Sequence, residues 1–323
     1  MKKIYGGHAA NDTGISARRE GGDLVIETSM QGRFAGGVKE LIESIFAGAP
    51  DKIIEKARRL SGLRPAEAAS ALPPKISLAG FFESRDTGIY NDAESAKAHG
   101  SVRLVFEYED DFIAVLNKPA GIKIHPDREG DADNLCAALD AHFHASSERS
   151  ARAYPIHRLD IGTSGLIVFA KDSVTCAILD RALFENRIER RYTAAIDGLL
   201  KKREGEINLA IGRDRHVSNK YRVSPSGKPA VTRYKLLCAD SRRGISLVEA
   251  VLETGRTHQI RVHFSHIGHP LCGDSLYGSR KSPSIGREFL LHSSYVKFTH
   301  PYNKKTVELS SAADFMDPRY PIK

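Results

Sequence analysis

Alternating hydrophobic and polar positions divide the chain into a helical first part and a strand-rich second part. Between residues 37 and 47, apolar side chains recur at the spacing of one amphipathic helix face, namely Val38, Leu41, Ile42, Ile45 and Phe46. A second helix is predicted from Asp51, which favours a helix N-cap, to Leu60, before Gly62. One short strand is predicted at residues 24–26. The N-terminal region is therefore predicted to be small and mainly helical.

A break in this periodicity predicts a domain boundary near residue 100. Pro65, Pro73 and Pro74 interrupt the pattern, and the polar stretch 83–100 has the composition of a linker. We therefore expect two regions, residues 1–100 and residues 101–323.

From residue 102 onwards, short β-rich runs replace the helical spacing. The runs 103–108 and 112–117 flank the acidic residues 109–111 and predict a hairpin. The same reasoning predicts further elements, namely helices at 134–143 and 174–184 and strands at 166–170, 190–198, 231–239 and 245–252.

The most informative stretch is residues 157–171, where charged residues and a Gly-rich turn precede an apolar run long enough for one buried strand. This arrangement places the carboxylate of Asp160 at a strand end. An aspartate at such a junction is usually a turn former, because its side chain hydrogen-bonds the backbone just beyond it. The spacing alone therefore leaves the role of Asp160 open.

Residues 254–268 form a second charged element, whose periodicity fits both a strand and a helix. We predict a helix, with Thr257 near its N-cap and Gly268 at its end. Arg261 then lies beside the apolar face, and a half-buried arginine requires an anion. A zinc site is the weaker interpretation, since Gly268 and Pro270 interrupt the spacing of its candidate ligands, which are His263, His266, His269, Cys272 and Asp274.

The charge of the chain favours a polyanionic partner. The net charge is +8, and residues 1–100 carry 14 Lys and Arg against 13 Asp and Glu, so seven of the excess positive charges lie after residue 100. Residues 200–229 are the most basic and least periodic part, and they fit either a solvated loop or a surface that follows phosphates. The basic face of the second helix, Lys52, Lys56, Arg58 and Arg59, is more typical of a solvated helix.

The remaining composition is that of a soluble protein. Apolar residues make up 41% and charged residues 27% of the chain. The four cysteines are widely spaced, which favours reduced thiols over a disulfide framework. No apolar segment follows Lys2 and Lys3, and no apolar run approaches the ~20 residues of a membrane helix. We therefore expect a cytoplasmic protein without a membrane segment.

Four motifs resemble, in order, those of the RluA-type pseudouridine synthases, over about residues 101–310. They are residues 117–126, the run His-Arg-Leu-Asp-x-x-Thr-Ser-Gly-Leu that begins at His157, the segment around Tyr192, and residues 255–263 with 268–278 downstream. The segment 290–293 is a weaker match to the apolar lining of the uracil pocket. The first hundred residues lack the pattern of the S4 RNA-binding domain that many members carry.

The resemblance implies an α+β fold, with a mixed, largely antiparallel β-sheet, flanking helices and a central active-site cleft. It implies the isomerisation of a uridine in structured rRNA or tRNA to pseudouridine by a monomer, with Asp160 as the nucleophile. Contacts with RNA or substrate are implied for His157, Arg158, Thr163, Arg256, His258, Gln259 and Leu291. We expect neither a metal nor a cofactor, because this isomerisation needs none and the sequence has no Walker or dinucleotide motif.

Two further catalytic roles are implied by the resemblance. Arg261 would pair with Asp160 and favour its ionised form, since two such charges ~4 Å apart attract by about 4 kcal/mol at an effective dielectric of ~20, before desolvation. Tyr192 would stack on the base and is the candidate for proton transfer. A tyrosine pKa near 10 makes it a poor base, so stacking is the preferred role.

Two other functions fit parts of the sequence. A catalytically silent RNA-binding protein of the same fold would keep the basic surface, but the presence of Asp160, Tyr192 and Arg261 favours the enzyme. Residues 162–165 faintly resemble the nucleophile elbow of hydrolases, with Ser164 as the nucleophile. That interpretation is weaker because the spacing is short and a strand follows instead of a helix.

Overall fold

The structure, a computed structural model, describes residues 15–20, 23–28, 37–46, 49–60, 75–78, 102–128, 131–145, 151–280 and 288–316. The helices in these ranges are α1 Gly37–Ile45, α2 Asp51–Leu60, α3 Leu135–Ala145, α4 Ser173–Phe184 and α5 Gln259–His266. None of the described helices has the length and apolarity needed to cross a membrane.

The strands are β1 Ile15–Glu20, β2 Asp23–Thr28, β3 Lys75–Leu78, β4 Phe106–Glu109, β5 Ile113–Lys118, β6 Tyr154–Pro155, β7 Ser164–Ala170, β8 Glu189–Asp197, β9 Glu204–Asn208, β10 Ile211–Arg213, β11 Tyr221–Val223, β12 Val231–Asp240, β13 Ile245–Leu252, β14 Leu291–Thr299 and β15 Thr306–Ser310.

A mixed sheet of ten strands is the framework of the chain after residue 102. Eight strands follow one another in the order β4-β5-β7-β14-β8-β13-β12-β9, while β6 pairs with β7 and β15 pairs with β14. The strand β14 runs parallel to β7 and antiparallel to β8. The other neighbours in this sheet are antiparallel. The predicted α+β fold with a mixed, largely antiparallel sheet is confirmed.

The two faces of this sheet contribute to two separate apolar clusters. Successive side chains of a strand point to opposite faces, and along β7 Leu166 and Val168 belong to one cluster while Ile167 and Phe169 belong to the other. The first cluster is covered by α4 and the N-terminal region. The second includes residues of α3 and α5. The sheet thus separates the described part of the N-terminal region from the face that carries α5.

A close approach of two strands determines where β14 enters the sheet. Gly165 has φ +104, and a Cβ atom at this position would lie 2.3 Å from the carbonyl oxygen of Ser293. Every side chain of β7 is buried, so this part of the sheet has no room to adjust. Only glycine tolerates both the backbone conformation and the contact.

The N-terminal region is a small α+β unit on the α4 face of the sheet. Its strands form an antiparallel sheet in the order β1-β2-β3. Phe46 of this region contacts Tyr302 edge to face, with ring centroids 6.1 Å apart. The guanidinium of Arg19 lies 3.6 Å from the carboxylate of Asp172. The division of the chain at residue 100 stays a proposal, but the two regions share one apolar cluster.

Most predicted elements are confirmed to within a few residues, including the two N-terminal helices, the hairpin β4-β5 and the pair β12-β13. Besides the two predicted helices, the described part of the N-terminal region contains a three-stranded sheet, of which only the strand at residues 24–26 was predicted. The strands β1 and β3 carry too few alternating apolar residues to be recognised. The linker predicted from the three prolines and residues 83–100 lies outside the described residues.

Residues 200–229 are also not a structureless loop. They contain β9, β10 and β11, of which β10 and β11 pair as an antiparallel hairpin. These strands have three to five residues and are rich in charge, so their alternation is too short to be read from the sequence.

We expect Gly165→Ala to destabilise the fold more than Gly268→Ala does. Gly268 has φ +85 with nothing within 4 Å of an added Cβ, so its substitution tests backbone strain alone. The free energy of unfolding should fall by about 3 kcal/mol or more for Gly165→Ala and by about 1 kcal/mol for Gly268→Ala. Urea unfolding measures both. Equal losses would show that the contact with β14 does not constrain this position.

Candidate active site

Asp160 lies in the loop between β6 and β7, and the backbone of this loop is held from two sides. The carbonyl of Asp160 accepts a hydrogen bond from the amide of Thr163 at 2.9 Å. The next carbonyl, that of Ile161, accepts from Nζ of Lys118 at 3.0 Å and from the amide of Gly121 at 2.8 Å. Lys118 is only 1% exposed, so its ammonium is committed to this position. The turn at residues 117–126 therefore fixes the backbone that carries Asp160.

Arg261 projects from α5 and joins Asp160 to a second carboxylate. Its Nη1 donates to Oδ2 of Asp160 at 3.1 Å. Its Nε and Nη2 donate to the two oxygens of Asp274 at 2.7 and 3.0 Å. The guanidinium also lies over the rings of Phe289 and Tyr277, at 4.2 and 5.0 Å from their centroids. Arg261 is thus fixed by Asp274 and the two rings, and it presents Nη1 to Asp160.

Burial distinguishes the two carboxylates that share Arg261. The side chain of Asp274 is 1% exposed, whereas that of Asp160 is 25% exposed. Burial lowers the pKa of Arg261, but the hydrogen bonds and charges of the two aspartates outweigh it and raise the pKa above its ordinary value. Arg261 is therefore a permanent cation, and Asp160 is the carboxylate of the pair that a substrate can reach.

Sequence reasoning missed Asp274 as the main partner of Arg261. The pattern around Arg261 predicted that its guanidinium requires an anion, and Asp160 was sufficient to meet that requirement. The signal in the sequence is Asp274 itself, which the residue pattern marks only as a candidate metal ligand and as part of the motif at residues 268–278.

His258 is the residue before α5 and has a left-handed backbone conformation, with φ 57. The predicted N-cap at Thr257 is therefore displaced by one residue, while the predicted end of the helix at Gly268 is confirmed. The ring Nδ1 lies 2.9 Å from the hydroxyl of Tyr277, and Nε2 lies 3.8 Å from Oδ2 of Asp160. Burial lowers the pKa of His258, although the charge of Asp160 opposes this. The ring is therefore neutral at neutral pH.

Gln259 is buried, and its amide is used within the protein. The amide nitrogen donates to the carbonyl of Val231 and to the hydroxyl of Thr232. The amide oxygen accepts from the hydroxyl of Thr254 and from the backbone amide of Arg256. These contacts fill the hydrogen-bonding capacity of the side chain. The side chain of Gln259 thus holds α5 against β12, and the RNA or substrate contact predicted for this residue stays a prediction.

His157 and Thr163 are also buried, at 5% and 1% exposure. Nε2 of His157 accepts from the amide of Val168, and burial together with the charge of Arg190 lowers its pKa to about 3. Nδ1 of His157 and Oγ1 of Thr163 have no hydrogen-bond partner among the described residues. The substrate contacts predicted for the two residues stay predictions.

Tyr192 and Leu291 lie on the adjacent strands β8 and β14, where Tyr192 pairs with Ser293 and Leu291 pairs with Ala194. They share an apolar cluster with Leu159 and Phe289. Leu159 precedes Asp160 in the chain, and the ring of Phe289 lies against the guanidinium of Arg261. Burial raises the pKa of Tyr192, and the charge of Asp160 adds to this. Its hydroxyl therefore stays protonated at neutral pH, which further weakens the role of a base.

The predicted phosphate contacts are exposed. Arg158 lies in the Asp160 loop, and Arg256 lies before α5, where its Nε donates to the carbonyl of Pro229. The basic hairpin β10-β11 reaches the same place, since the ring of Tyr221 lies 5.5 Å from that of His258. The structure thus brings this hairpin, a part of the basic segment 200–229, next to His258. Its phosphate-binding role stays a prediction.

The side chains considered as zinc ligands have separate contacts. His263 bonds the hydroxyl of Thr232 and the carbonyl of Leu209 through its two nitrogens, and His269 bonds the carbonyl of Asp197. Within the described ranges no group of three or more His, Cys, Asp and Glu side chains is arranged to hold a metal ion.

Comparison with known proteins gives a consistent result. Residues 112–266 match the model of the RNA pseudouridylate synthase family. The uncharacterised RNA pseudouridine synthase YhcT of Bacillus subtilis is 43% identical over 209 residues, which are 65% of this chain and 68% of that protein. The ribosomal large subunit pseudouridine synthase D of Neisseria meningitidis serogroup A is 37% identical over 249 residues, 74% of this chain and 66% of that protein.

A solved structure is also similar to this chain. Human RNA pseudouridylate synthase domain containing 1 aligns with a TM-score of 0.55 and 27% identity, covering 68% of this chain and 86% of the human chain.

We expect Asp274→Asn to destabilise the protein strongly. The substitution leaves the buried guanidinium of Arg261 without its main counter-charge, so the free energy of unfolding should fall by about 3 kcal/mol or more. The matched control is Glu253→Gln, which breaks the exposed ion pair with Arg233 and should change stability little. Urea unfolding compares the two, and an equally small loss for both variants would contradict the anchoring role of Asp274.

Proposed function

The chain belongs to the RNA pseudouridylate synthase family as an isomerase of the RluA type, and we propose that it converts a specific uridine of structured RNA to pseudouridine with Asp160 as the nucleophile. The observation that carries this proposal is the fixed pair of Asp160 and Arg261. Arg261 and His258 both face Oδ2 of Asp160, and Oδ1 has no partner among the described residues. The free oxygen is the one we assign to the reaction.

The reaction needs an ionised carboxylate but no net exchange with another molecule. The bond from N1 of uracil to C1′ breaks, the base turns while it is held, and C5 bonds to C1′. The proton that leaves C5 is balanced by one gained at N1. Asp160 either bonds C1′ or assists departure of the base through the neighbouring sugar carbon, and both routes use the carboxylate that Nη1 of Arg261 contacts. No cofactor is required for this balance.

The detached uracil needs a pocket that prevents its escape. The apolar side chains beneath Asp160 suit a planar base, and we assign the pocket to Leu159, Tyr192, Phe289 and Leu291. A protonated Tyr192 would stack on the base. Because Tyr192 is protonated, another group or a water molecule would remove the proton from C5.

A uridine in folded RNA has to leave its base stack before the carboxylate can reach C1′. Phosphates on either side of the flipped nucleotide would be held by exposed cations near Asp160. We assign this role to Arg158, Arg256 and the basic segment, namely Lys201, Lys202, Arg203, Arg213, Arg215, Lys220, Arg222 and Lys228.

Ribosomal RNA of the large subunit is the substrate class we propose first. Several relatives that are 35–40% identical are named for this activity, whereas the name of YhcT specifies no particular RNA. Transfer RNA is the other substrate class that fits this site. Mapping the modified position distinguishes ribosomal RNA from transfer RNA.

We expect the wild-type protein to form pseudouridine at a specific position when it is incubated with total RNA from a strain that lacks its gene. Asp160→Asn and Asp160→Ala should lower the rate by at least ~10³-fold, because both remove the nucleophile. Asp180→Asn, an exposed substitution on α4, is the matched control and should keep full activity. Chemical mapping of pseudouridine provides the measurement.

Two results would contradict the proposal in different ways. Pseudouridine formed at the normal rate by Asp160→Ala would show that another group is the nucleophile. If the wild type forms none but binds RNA as tightly as the Asp160 variants, the chain is the catalytically silent RNA-binding protein.

A further inference from the structure

We propose that His258 is a positioning residue that holds the carboxylate of Asp160 together with Arg261, and that a hydrogen-bond chain from β11 through Tyr277 orients its ring. The inference rests on the proposed role of Asp160 in the isomerisation. It assigns a function to a residue that the motif alone suggested only as a substrate contact.

The chain of hydrogen bonds has a direction. The backbone amide of Tyr221 donates to the hydroxyl of Tyr277 at 3.0 Å, and this hydroxyl lies 2.9 Å from Nδ1 of His258. An amide can only donate, so the hydroxyl proton of Tyr277 remains for Nδ1, the acceptor within its reach among the described residues. The neutral ring of His258 then carries its proton on Nε2.

This tautomer matches what Asp160 requires. Nε2 lies 3.8 Å from Oδ2 of Asp160, and a carboxylate only accepts hydrogen bonds. The Nε2 proton therefore points at the oxygen that Nη1 of Arg261 also contacts. Two donors that approach Oδ2 from different elements restrict rotation of the carboxylate and keep Oδ1 in one place. The separation of 3.8 Å is longer than a hydrogen bond, and such contacts tighten when a substrate closes the site.

The backbone conformation of His258 is also unusual for a residue other than glycine. Its φ of 57 lies in the left-handed region, which side chains other than glycine rarely adopt and which costs free energy. The rings of Tyr221 and Tyr277 stand edge-on to the imidazole at 5.5 and 5.8 Å. The surrounding aromatic contacts thus hold a strained residue in the one orientation that directs Nε2 at Asp160.

The charges around His258 keep the ring in its neutral form. Burial lowers the pKa of His258, and the cations Arg261 and Arg158 lower it further, while Asp160 and Asp274 oppose them. The two other groups that face the ring are the phenols of Tyr277 and Tyr221, and burial raises the pKa of Tyr277 to about 12, so its proton is available to Nδ1 at neutral pH.

The decisive variant is Tyr277→Phe, which keeps the ring against Arg261 but removes the hydroxyl. We expect kcat for pseudouridine formation to fall about tenfold with KM within twofold, since the change acts on the carboxylate and not on RNA binding. Without the hydroxyl, Nδ1 takes up a proton more readily, and the resulting imidazolium carries a proton on Nε2, so the loss in kcat should become smaller at acidic pH. Tyr277 in a merely structural role would lower the amount of folded enzyme without this pH dependence.

Substitutions of His258 complete the test. His258→Asn tolerates the left-handed backbone and keeps an amide donor, so it should retain more kcat than His258→Ala. Adding Tyr277→Phe to His258→Ala should cost little more, because both act through one chain. Tyr295→Phe, which removes an exposed hydroxyl that donates to Glu308, is the matched control and should leave kcat and its pH profile unchanged.

The outcomes separate this inference from the proposed function. A wild-type protein that forms no pseudouridine would overturn the proposed function itself. An active, Asp160-dependent enzyme in which Tyr277→Phe and His258→Ala keep the wild-type kcat and pH profile would overturn the positioning role alone.

Discussion

The guanidinium of Arg261 is the group on which the rest of the site depends. It is buried, and its position is fixed by the two oxygens of Asp274 and by the faces of Phe289 and Tyr277. What remains is one nitrogen, Nη1, directed at Asp160. A buried arginine without a well-placed counter-charge is strongly destabilising, so the fold itself requires this geometry. The contacts that stabilise the fold therefore also orient Asp160, to which we assign the role of nucleophile.

The sheet brings the two partners together from positions 101 residues apart in the chain. Asp160 precedes β7, whose glycine at position 165 lets β14 approach closely enough to place Leu291 beside the site. Lys118 ties the neighbouring turn to the same loop. The N-terminal region packs on the opposite face, where it enlarges the apolar cluster under α4 and leaves the face with α5 clear.

Sequence reasoning predicted the elements whose signal is local. The helices α1 and α2 follow from their apolar spacing, and β7 follows from one continuous apolar run. It failed at β10, which has three residues, and at β1, which has six residues but little apolar alternation, because neither defines a strand pattern.

The candidate site was likewise predicted only in part from the sequence. The motif around Asp160 and Arg261 identified the pair, but a contiguous motif mixes residues that face the cleft with residues that hold the backbone. Gln259 belongs to the second group, as its filled hydrogen bonds show. Asp274 was missed because the number of anions around a buried arginine depends on tertiary packing, which spacing does not encode.

We infer that Asp274 acts on catalysis through Arg261, and a double-mutant cycle on the single-turnover rate distinguishes this from two independent effects. The four proteins are the wild type, Arg261→Lys, Asp274→Asn and the double variant, each measured on its folded fraction. We expect each single substitution to slow pseudouridine formation by about 100-fold and the double variant to be little slower than the slower single variant. Losses that simply multiply would contradict it, because the two side chains would then act independently.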